Sequence, residues 1–293
     1  MSTQHQDAGG AAEQLRGAAE QLLTWVRGDG LIVSPPAQDP LLVADSWLVD
    51  DGAVRALARH QRRFEAAVRP AAGELADDLC AFWAAVVDRL PRRGQWFPRV
   101  ELTAAQPRQL RLRIRPAPAP GREIRVWADV GRDERRWPRY KGPDLDWLGR
   151  RRARAIELGA GEALLTTPTG IVLEAAHSSV LWWEDDALCV PSPALRVLPG
   201  VTSGLIQEQA RCLGLTVRPR RCGLDELAGR EVWLVNALHG IRFVDGWLGA
   251  EIPAGDPEHA TAWRSWLTSL AEPLPDAGSE PHLLAGESGL RNT

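Results

Sequence analysis

Residues 162–191, EALLTTPTGIVLEAAHSSVLWWEDDALCVP, constrain the fold more than any other part of the chain. Their short apolar runs are separated by a Pro-Thr-Gly turn and a Glu-Asp-Asp turn, a pattern that predicts four consecutive short strands. A helical pattern precedes them at about residues 145–158, and another follows at about residues 205–214. Because strands and helices do not alternate strictly, we expect an α/β chain of the mixed α+β kind, with a mixed sheet flanked by helices.

The N-terminal part of the chain predicts a smaller α/β domain. Residues 11–28 have the pattern of an amphipathic helix that ends at Gly28, and residues 41–57 have that of a hairpin turning at Asp51-Gly52. Helices are expected at 57–69 and 74–90. Further strands are expected at 100–104, 109–118, 123–130, 215–220, 231–238 and 241–252.

The Pro-rich stretch RPAPAPG, residues 115–121, indicates a domain boundary within residues 116–137. The predicted organisation is an N-terminal extension with a helix at 1–30, a smaller α/β domain at 31–128, a larger domain at 129–271, and a tail at 272–293. The tail is rich in Pro, Gly and Ser, and we expect it to be mobile.

Charge and composition exclude several classes of protein. The formal net charge is −3 and the basic residues are spread along the chain, so no strong field for nucleic acid or an anionic membrane is expected. No apolar run approaches a membrane span and the N-terminus lacks a signal-peptide pattern, so we expect a soluble cytoplasmic protein. The cysteines show no C-x-x-C spacing and the histidines no H-E-x-x-H motif, so neither a metal site nor a disulfide framework is indicated.

Lys141 is the only lysine in a chain that contains 34 arginines, and it follows the only tyrosine, Tyr140. A guanidinium stays charged at any working pH, whereas a lysine amine can lose its proton and attack a carbonyl. Lys141 is therefore a candidate for covalent chemistry with an aldehyde or ketone. The alternative is a surface position at which lysine was simply not replaced by arginine.

Three other features could bind parts of one ligand. Residues 199–204, PGVTSG, precede a helical pattern, and a helix N-terminus with the hydroxyl of Thr202 suits a phosphate, although Ser or Thr there is often only an N-cap. Arg63, with His60 one turn earlier on the same predicted helix, could bind a phosphate with two hydrogen bonds, or face solvent. Glu174, at the end of the predicted strand GIVLE, could be a buried carboxylate or an ordinary strand-end charge.

Together, the four features supply what pyridoxal 5′-phosphate requires: an amine for its aldehyde, a loop and an arginine for its phosphate, and a carboxylate for its ring nitrogen. Their order, Arg63 in H-x-x-R, then Lys141, Glu174, and Thr202 in L-P-G-V-T, resembles the class IV aminotransferases. That family includes branched-chain and D-amino acid aminotransferases and aminodeoxychorismate lyase. Residues 159–174, GAGEALLTTPTGIVLE, and residues 234–244, LVNALHGIRFV, add to the resemblance, which covers roughly residues 40–250.

The resemblance implies a two-domain D-amino acid aminotransferase-like fold, pyridoxal-phosphate fold type IV, with the cofactor in the cleft between the domains, and a homodimer. It implies that Lys141 holds the cofactor as a Schiff base and acts as general acid and base. Glu174 would face the ring nitrogen. The other implied cofactor ligands are Arg63, Ser179, Val201, Thr202, Ala237 and Leu238.

Four residues are candidates for the substrate side: Ser46, Arg113, Arg115 and Tyr140. Arg113 and Arg115 alternate on a predicted strand and could bind a substrate carboxylate, the alternative being a solvated basic face. Tyr140 could adjust Lys141 or simply pack against it.

The chain also departs from the family pattern. Ala44 stands where an active-site aromatic residue is common, with Asp45 and Ser46 at the acidic and threonine positions. Ser178-Ser179 stand where the family often has Ser-Asn, so an amide near the ring is lost or replaced by a hydroxyl.

The leading hypothesis for the function is a transaminase that moves an amino group between an amino acid and a 2-oxo acid. The second is a lyase of the aminodeoxychorismate type that releases pyruvate and 4-aminobenzoate, a branch toward which Asn-Ala-Leu at 236–238 leans. The third is a cofactor-binding homologue with little turnover.

Overall fold

The computed structural model describes residues 20–128 and 133–276. The chain divides into two compact units, the first built from Met1–Asp39, Asp45–Pro116 and Glu272–Thr293, and the second from Pro40–Ala44 and Ala117–Ala271. The division after Pro116 falls at the start of the boundary region predicted at 116–137, and before the domain boundary predicted between residues 128 and 129. The strand at 123–127 thus belongs to the second unit, because its partners in the sheet lie there.

Seventeen strands lie in the described residues. In chain order they are β1 (Gln21–Val26), β2 (Gly30–Ser34), β3 (Leu41–Ser46), β4 (Val49–Asp50), β5 (Ala53–Arg55), β6 (Gln95–Trp96), β7 (Arg99–Thr103), β8 (Leu110–Ile114), β9 (Glu123–Trp127), β10 (Glu162–Thr166), β11 (Val172–Ala175), β12 (Ser179–Glu184), β13 (Ala187–Pro191), β14 (Val217–Arg220), β15 (Val232–Asn236), β16 (Gly240–Leu248) and β17 (Ala271–Pro273).

Five α-helices lie in the same residues: α1 (Leu57–Ala71), α2 (Leu79–Arg89), α3 (Leu145–Glu157), α4 (Val201–Cys212) and α5 (Ala260–Ser269). Short 3-10 helices form at Gly73–Asp78 and Asp225–Leu227. None of the described helices has both the length and the apolar character needed to cross a membrane.

The first unit contains a five-stranded sheet in the order β2–β1–β8–β7–β3. The pairs β1–β2, β1–β8 and β7–β8 are antiparallel. Helix α1 buries His60, Phe64, Ala67 and Val68, the i, i+4, i+7 spacing of a single helix face. Phe64 packs against Phe82 of α2 with ring centroids 6.3 Å apart, so the two helices share one aromatic core.

The helix predicted at 11–28 is wrong for the described part of that range. Residues 21–26 form β1, whose register runs from Leu22 opposite Ser34 to Val26 opposite Gly30. Pairing with β2 on one side and β8 on the other outweighs the helix-forming composition of this segment. The rest of the predicted helix, up to residue 19, lies outside the described residues.

The start of the predicted mobile tail is ordered. Residues 271–273 form β17 of a small sheet with the order β17–β5–β4–β6, whose β4–β5 hairpin turns at Asp51-Gly52 as predicted. Leu274 is buried, its N–H donates to the carbonyl of Gly52, and its own carbonyl accepts a bond from Arg92. These contacts fix the segment up to Leu274, and residues beyond 276 lie outside the described part of the chain.

The second unit contains the mixed sheet expected from the sequence, in the order β11–β10–β9–β16–β15–β12–β13–β14. The pairs β9–β10, β9–β16 and β13–β14 are parallel. The pairs β10–β11, β12–β13, β12–β15 and β15–β16 are antiparallel. The four strands predicted in residues 162–191 are therefore confirmed as β10 to β13.

The central strands of this sheet are buried on both faces. Val180 and Trp182 of β12 belong to one apolar cluster, whereas Leu181 and Trp183 belong to another. The second cluster includes Ile206 of α4, so this helix covers that face and its N-terminus is fixed relative to the strands. Helix α4 begins at Val201, four residues before the predicted start, so the Val-Thr-Ser-Gly stretch is its first turn.

Candidate active site

The main chain of Lys141 is held against β3 inside the second unit. The N–H of Ala44 donates to the carbonyl of Lys141 over 2.7 Å. Gly142 has φ +141°, and a Cβ added there would lie 2.8 Å from the Cα of Val43. Only glycine tolerates both the backbone conformation and this close approach. The lysine side chain is half-buried and its backbone is fixed on both sides.

Asp144 closes the loop that carries Lys141. Its carboxylate accepts the N–H groups of Arg136 and Trp137 over 3.2 and 2.8 Å. The N–H of Tyr140 donates to the carbonyl of Trp137. Tyr140 is 44% exposed and packs edge-on against Trp137, so among the described contacts it is a surface aromatic residue beside the lysine.

Glu174 is one of several buried carboxylates in this unit. Its Oε1 accepts the N–H of Leu198 over 3.1 Å and a second bond from Nη1 of Arg135. Burial raises the pKa of Glu174, and Arg135 offsets only part of that increase. Among the described residues no hydrogen bond reaches Oε2. One carboxylate oxygen is thus anchored by two donors, and no described residue bonds the other.

Helix α4 begins close to Ser179. Its N-cap residue Gly200 makes no side-chain cap bond, and Thr202 and Ser203 in the first turn are buried. A Cβ added to Gly200 would lie 2.6 Å from Oγ of Ser179, so any larger residue would require the Ser179 hydroxyl to move. The N–H groups of a first turn have no partner within the helix and attract anions. Their arrangement suits a phosphate.

The turn at Ala237-Leu238 is fixed by Asn236. The side-chain carbonyl of Asn236 accepts the N–H groups of Leu238 and His239 over 3.1 and 2.8 Å. Its amide donates to Oγ of Ser178 over 3.0 Å. Ser178 lies in the turn between β11, which carries Glu174, and β12, so the two segments are bonded together.

Within the second unit, the structure thus joins most of the predicted residues through shared elements. Arg135 links the loop that carries Lys141 to Glu174, Ser179 contacts the start of α4, and Asn236 ties the Ala237-Leu238 turn to Ser178. Val201 and Thr202 lie in the first turn of α4. The donor set matches the parts of pyridoxal phosphate: an amine, a carboxylate with an open oxygen, and an uncapped helix start.

Arg63 lies in the first unit, beside Asp45. Its Nε and Nη2 each donate to a different oxygen of Asp45 over 2.8 Å, and Nδ1 of His60 lies 2.8 Å from Oδ1. Asp45 is completely buried. Burial alone would raise the pKa of Asp45, but the charge of Arg63 and the contact with His60 hold it well below its ordinary value. His60 and Arg63 share one helix face, as predicted.

The remaining substrate candidates are also in the first unit. Ser46 is buried, and its N–H donates to Asp45. The guanidinium of Arg113 is saturated by Glu101, Glu20 and the carbonyl of Ala37.

Arg115 differs from its neighbour Arg113. Burial, and then the nearby charge of Arg99, lower the pKa of Arg115 to about 10. Its Nε donates to the carbonyl of Phe97, and no acceptor among the described residues bonds its Nη atoms. Arg113 is bonded through all three guanidinium nitrogens, whereas Arg115 is bonded within the described part of the chain through Nε alone.

The sequence interpretation missed three charged partners. Asp45 was noted only as the acidic position of a family motif, and Arg135 and Asp133 were not singled out at all. Arg135 stands in RDERRWPR, where four arginines and two acidic residues offer no pattern that distinguishes it. Only the folded loop shows that this arginine is the one that is buried against Glu174.

Comparisons with known proteins agree with this geometry. Residues 42–247 match the family model described as amino-transferase class IV. The branched-chain amino acid aminotransferase of Escherichia coli superimposes with a TM-score of 0.69 at 16% identity, covering 86% of this chain and 94% of that one. An aminotransferase from Brucella abortus bound to pyridoxal phosphate gives 0.67 at 17% identity, covering 85% and 98%.

A proposed 4-amino-4-deoxychorismate lyase from Legionella pneumophila gives a TM-score of 0.65 at 14% identity, covering 81% of this chain and 96% of that one. At such identities these likenesses show the fold, and they confirm the predicted fold type. Among curated proteins, no relative matches this sequence. The family match spans most of the chain and includes Lys141, Glu174 and the start of α4. The chain therefore belongs to the class IV aminotransferase family.

Proposed function

We propose that the protein is a pyridoxal-phosphate-dependent aminotransferase that moves an amino group between an amino acid and a 2-oxo acid. The observation that carries this proposal is Glu174, a buried carboxylate with one oxygen held by two donors and the other bonded by no described residue. Burial raises the pKa of Glu174 and Arg135 offsets only part of that increase, so a further cationic partner would favour its charged form. A protonated ring nitrogen is such a partner.

When bound, pyridoxal phosphate supplies an aldehyde that captures amines and a ring that withdraws electrons from the adjoining carbon. Lys141 would hold the cofactor through its amine and carry a proton to and from the substrate carbon. Its fixed main chain, bonded to Ala44 and packed on Val43, supports this role because a general base needs a defined position.

Glu174 would accept a hydrogen bond from the ring nitrogen and favour its protonated form. A carboxylate about 4 Å from such a cation contributes roughly 4 kcal/mol at an effective dielectric constant near 20. The first-turn N–H groups of α4 and the hydroxyls of Thr202 and Ser179 would bind the phosphate. The turn at Ala237-Leu238 would complete that end of the site. The predicted role of Arg63 as a phosphate ligand stays a prediction.

The experiment that tests the proposal is reductive trapping. The purified protein is incubated with pyridoxal phosphate, reduced with borohydride, digested and analysed by peptide mass spectrometry. We expect a pyridoxyl adduct on the Lys141 peptide, and none in the Lys141→Arg variant, whose guanidinium keeps the charge but does not form the bond. An unmodified Lys141 peptide in the wild type would refute the proposal.

The second candidate is a lyase of the aminodeoxychorismate type. The observation that favours it is the Asn-Ala-Leu turn at 236–238, where Asn236 fixes the turn through two backbone N–H groups. Incubation with single amino acids separates the two reactions. A transaminase converts its cofactor to the pyridoxamine form with at least one donor. If no amino acid does so and aminodeoxychorismate yields pyruvate, the lyase assignment replaces the transaminase; if neither reaction occurs, the chain is a cofactor-binding homologue with little turnover.

A further inference from the structure

Arg135 uses two sides of its guanidinium for two carboxylates. Nε and Nη2 donate to the two oxygens of Asp133 over 2.9 and 3.0 Å, and Nη1 donates to Oε1 of Glu174. Nη2 also lies 3.4 Å from the carbonyl of Arg196. The side chain of Arg135 is 3% exposed, and those of Glu174 and Asp133 are 6% and 11% exposed. The three charged groups form one hydrogen-bonded row, Asp133–Arg135–Glu174, that is almost completely buried.

The charges of Asp133, Arg135 and Glu174 together determine how strongly Glu174 attracts a cation. Arg135 alone would neutralise Glu174, and a neutral pair offers little attraction to a protonated ring nitrogen. The two-bond contact with Asp133 supplies a second negative charge, so the three groups together keep one net negative charge. Asp133 also acts in the direction of raising the pKa of Glu174, as a nearby like charge must.

We propose that Asp133 and Arg135 are positioning residues, Arg135 orienting Glu174 toward the cofactor's ring nitrogen and Asp133 keeping the negative charge of Glu174 available to it. This inference rests on the proposed function. Arg135 and the N–H of Leu198 both bind Oε1, which directs Oε2 away from the protein donors. Asp133 makes no described contact with Glu174 and acts on it only through Arg135 and through its charge.

The test measures how well the protein recognises the ring nitrogen, without relying on turnover. Dissociation constants are measured for pyridoxal phosphate and for its deaza analogue, in which a C–H group replaces the ring nitrogen. The ratio of the two constants reports the contact with Glu174, because every other contact is shared. We expect the wild type to prefer pyridoxal phosphate by at least about tenfold, which corresponds to one pKa unit of differential interaction.

Asp133→Asn keeps the shape of the side chain and removes its charge. We expect the preference for pyridoxal phosphate to fall by about tenfold, with the affinity for the deaza analogue nearly unchanged, and Asp133→Glu to restore it. Asp186→Asn is the matched control, because Asp186 is exposed in the turn between β12 and β13. An Asp133→Asn protein that is folded and keeps the full wild-type preference would overturn the inference.

Arg135→Gln decides the question if Asp133→Asn does not fold. Glutamine can still donate to Oε1 of Glu174 but carries no charge, so we expect the preference to stay at the wild-type value or to rise. If Arg135 and Glu174 form only a structural ion pair, Arg135→Gln should instead abolish the preference for pyridoxal phosphate. If the wild type binds both molecules equally, the inference fails while cofactor binding stands, and if it binds neither, the proposed function fails as well.

Discussion

The two units each contain a buried carboxylate bonded to an arginine, and the two pairs are built in opposite ways. In the first unit one carboxylate serves two basic groups, since both oxygens of Asp45 are bonded by Arg63 and His60 contacts one of them. In the second unit one arginine serves two carboxylates, and Glu174 keeps an oxygen that no described residue bonds.

The difference is whether hydrogen bonds from the protein satisfy both oxygens of the carboxylate, in which case we call the pair saturated. Asp45 is fully buried and its pKa is held below the ordinary value, so its charged form is stabilised by the folded protein alone. Glu174 is buried too, but its pKa is raised, so its charged form is not fully compensated. A saturated pair contributes to stability, whereas an unsaturated one is ready to bind a ligand. The following predictions test this contrast.

Asp45→Asn should have the largest effect on stability. The substitution removes a buried charge on which both Arg63 and His60 depend, and breaking a buried ion pair from one side costs about 3 to 5 kcal/mol. Urea unfolding of the variant and the wild type measures the loss. Asp186→Asn, the same change at an exposed turn, should change the free energy of unfolding by less than about 0.5 kcal/mol. A loss of under about 1 kcal/mol for Asp45→Asn would contradict the view of a saturated pair.

Arg113 of β8 and Arg115, which directly follows this strand, repeat the contrast. Arg113 is saturated, so we expect Arg113→Gln to destabilise the protein by about 2 to 3 kcal/mol. Arg115 has unused donors and a lowered pKa, so Arg115→Gln should cost about 1 kcal/mol or less, because the cost of burying its charge disappears. Chemical denaturation of the two variants and the wild type gives the two losses in the free energy of unfolding. Equal losses for the two variants would show that saturation does not decide the outcome.

The sequence predicted the second unit better than the first. The strands of residues 162–191 are short apolar runs between turn residues, and their identity does not depend on distant partners. Residues 21–26 became β1 only because β2 and β8 lie on either side, and no local pattern contains that information. The domain division fell at Pro116, within the Pro-rich stretch, because β9 pairs with β10 and β16 of the second unit.

The candidate site divides in the same way. Lys141, Glu174 and Thr202 could be found because each is chemically distinctive and their order resembles that of the family. Asp45, Asp133 and Arg135 could not, since their partners lie 18, 2 and 39 residues away and the chain has many similar charges. A charged side chain is identified as functional by what it meets, and this depends on tertiary structure.

Glu174→Gln should separate stability from ligand recognition. Glutamine can still accept the bonds from Leu198 and Arg135, so we expect a loss of only about 1 to 2 kcal/mol in the free energy of unfolding. The preference for pyridoxal phosphate over its deaza analogue should nevertheless disappear, because the negative charge is gone. Thermal or urea unfolding and the two dissociation constants are measured on the same preparation. A stability loss as large as that of Asp45→Asn would remove the distinction between the two networks.

His239 provides the smallest and most selective test. Burial, and then the charges of Arg242 and Arg152, lower the pKa of His239 from its ordinary 6.5 to about 4. The N–H of Gly121 donates to its Nδ1 over 3.0 Å, which requires the neutral ring with its proton on Nε2. The folded protein therefore disfavours the protonated form, and the unfolded chain binds more protons between these two pKa values. The resulting stability is complete above pH 6.5 and is lost as the pH falls toward 4.

Between about pH 7 and about pH 5, this histidine should account for about 1 kcal/mol of lost stability, after a reduction for its partial exposure to solvent. His239→Asn keeps an acceptor for Gly121 and removes the titration. Urea unfolding at both pH values should thus show a smaller decrease in the variant than in the wild type. The pH dependence of Asp45, whose pKa is lowered, appears only at more acidic pH, so it adds equally to both proteins. Identical decreases would mean that the fold does not hold the ring of His239 in its neutral form. The half-buried His239 would then accommodate a proton in the folded state, in contrast to the fully buried network of Asp45.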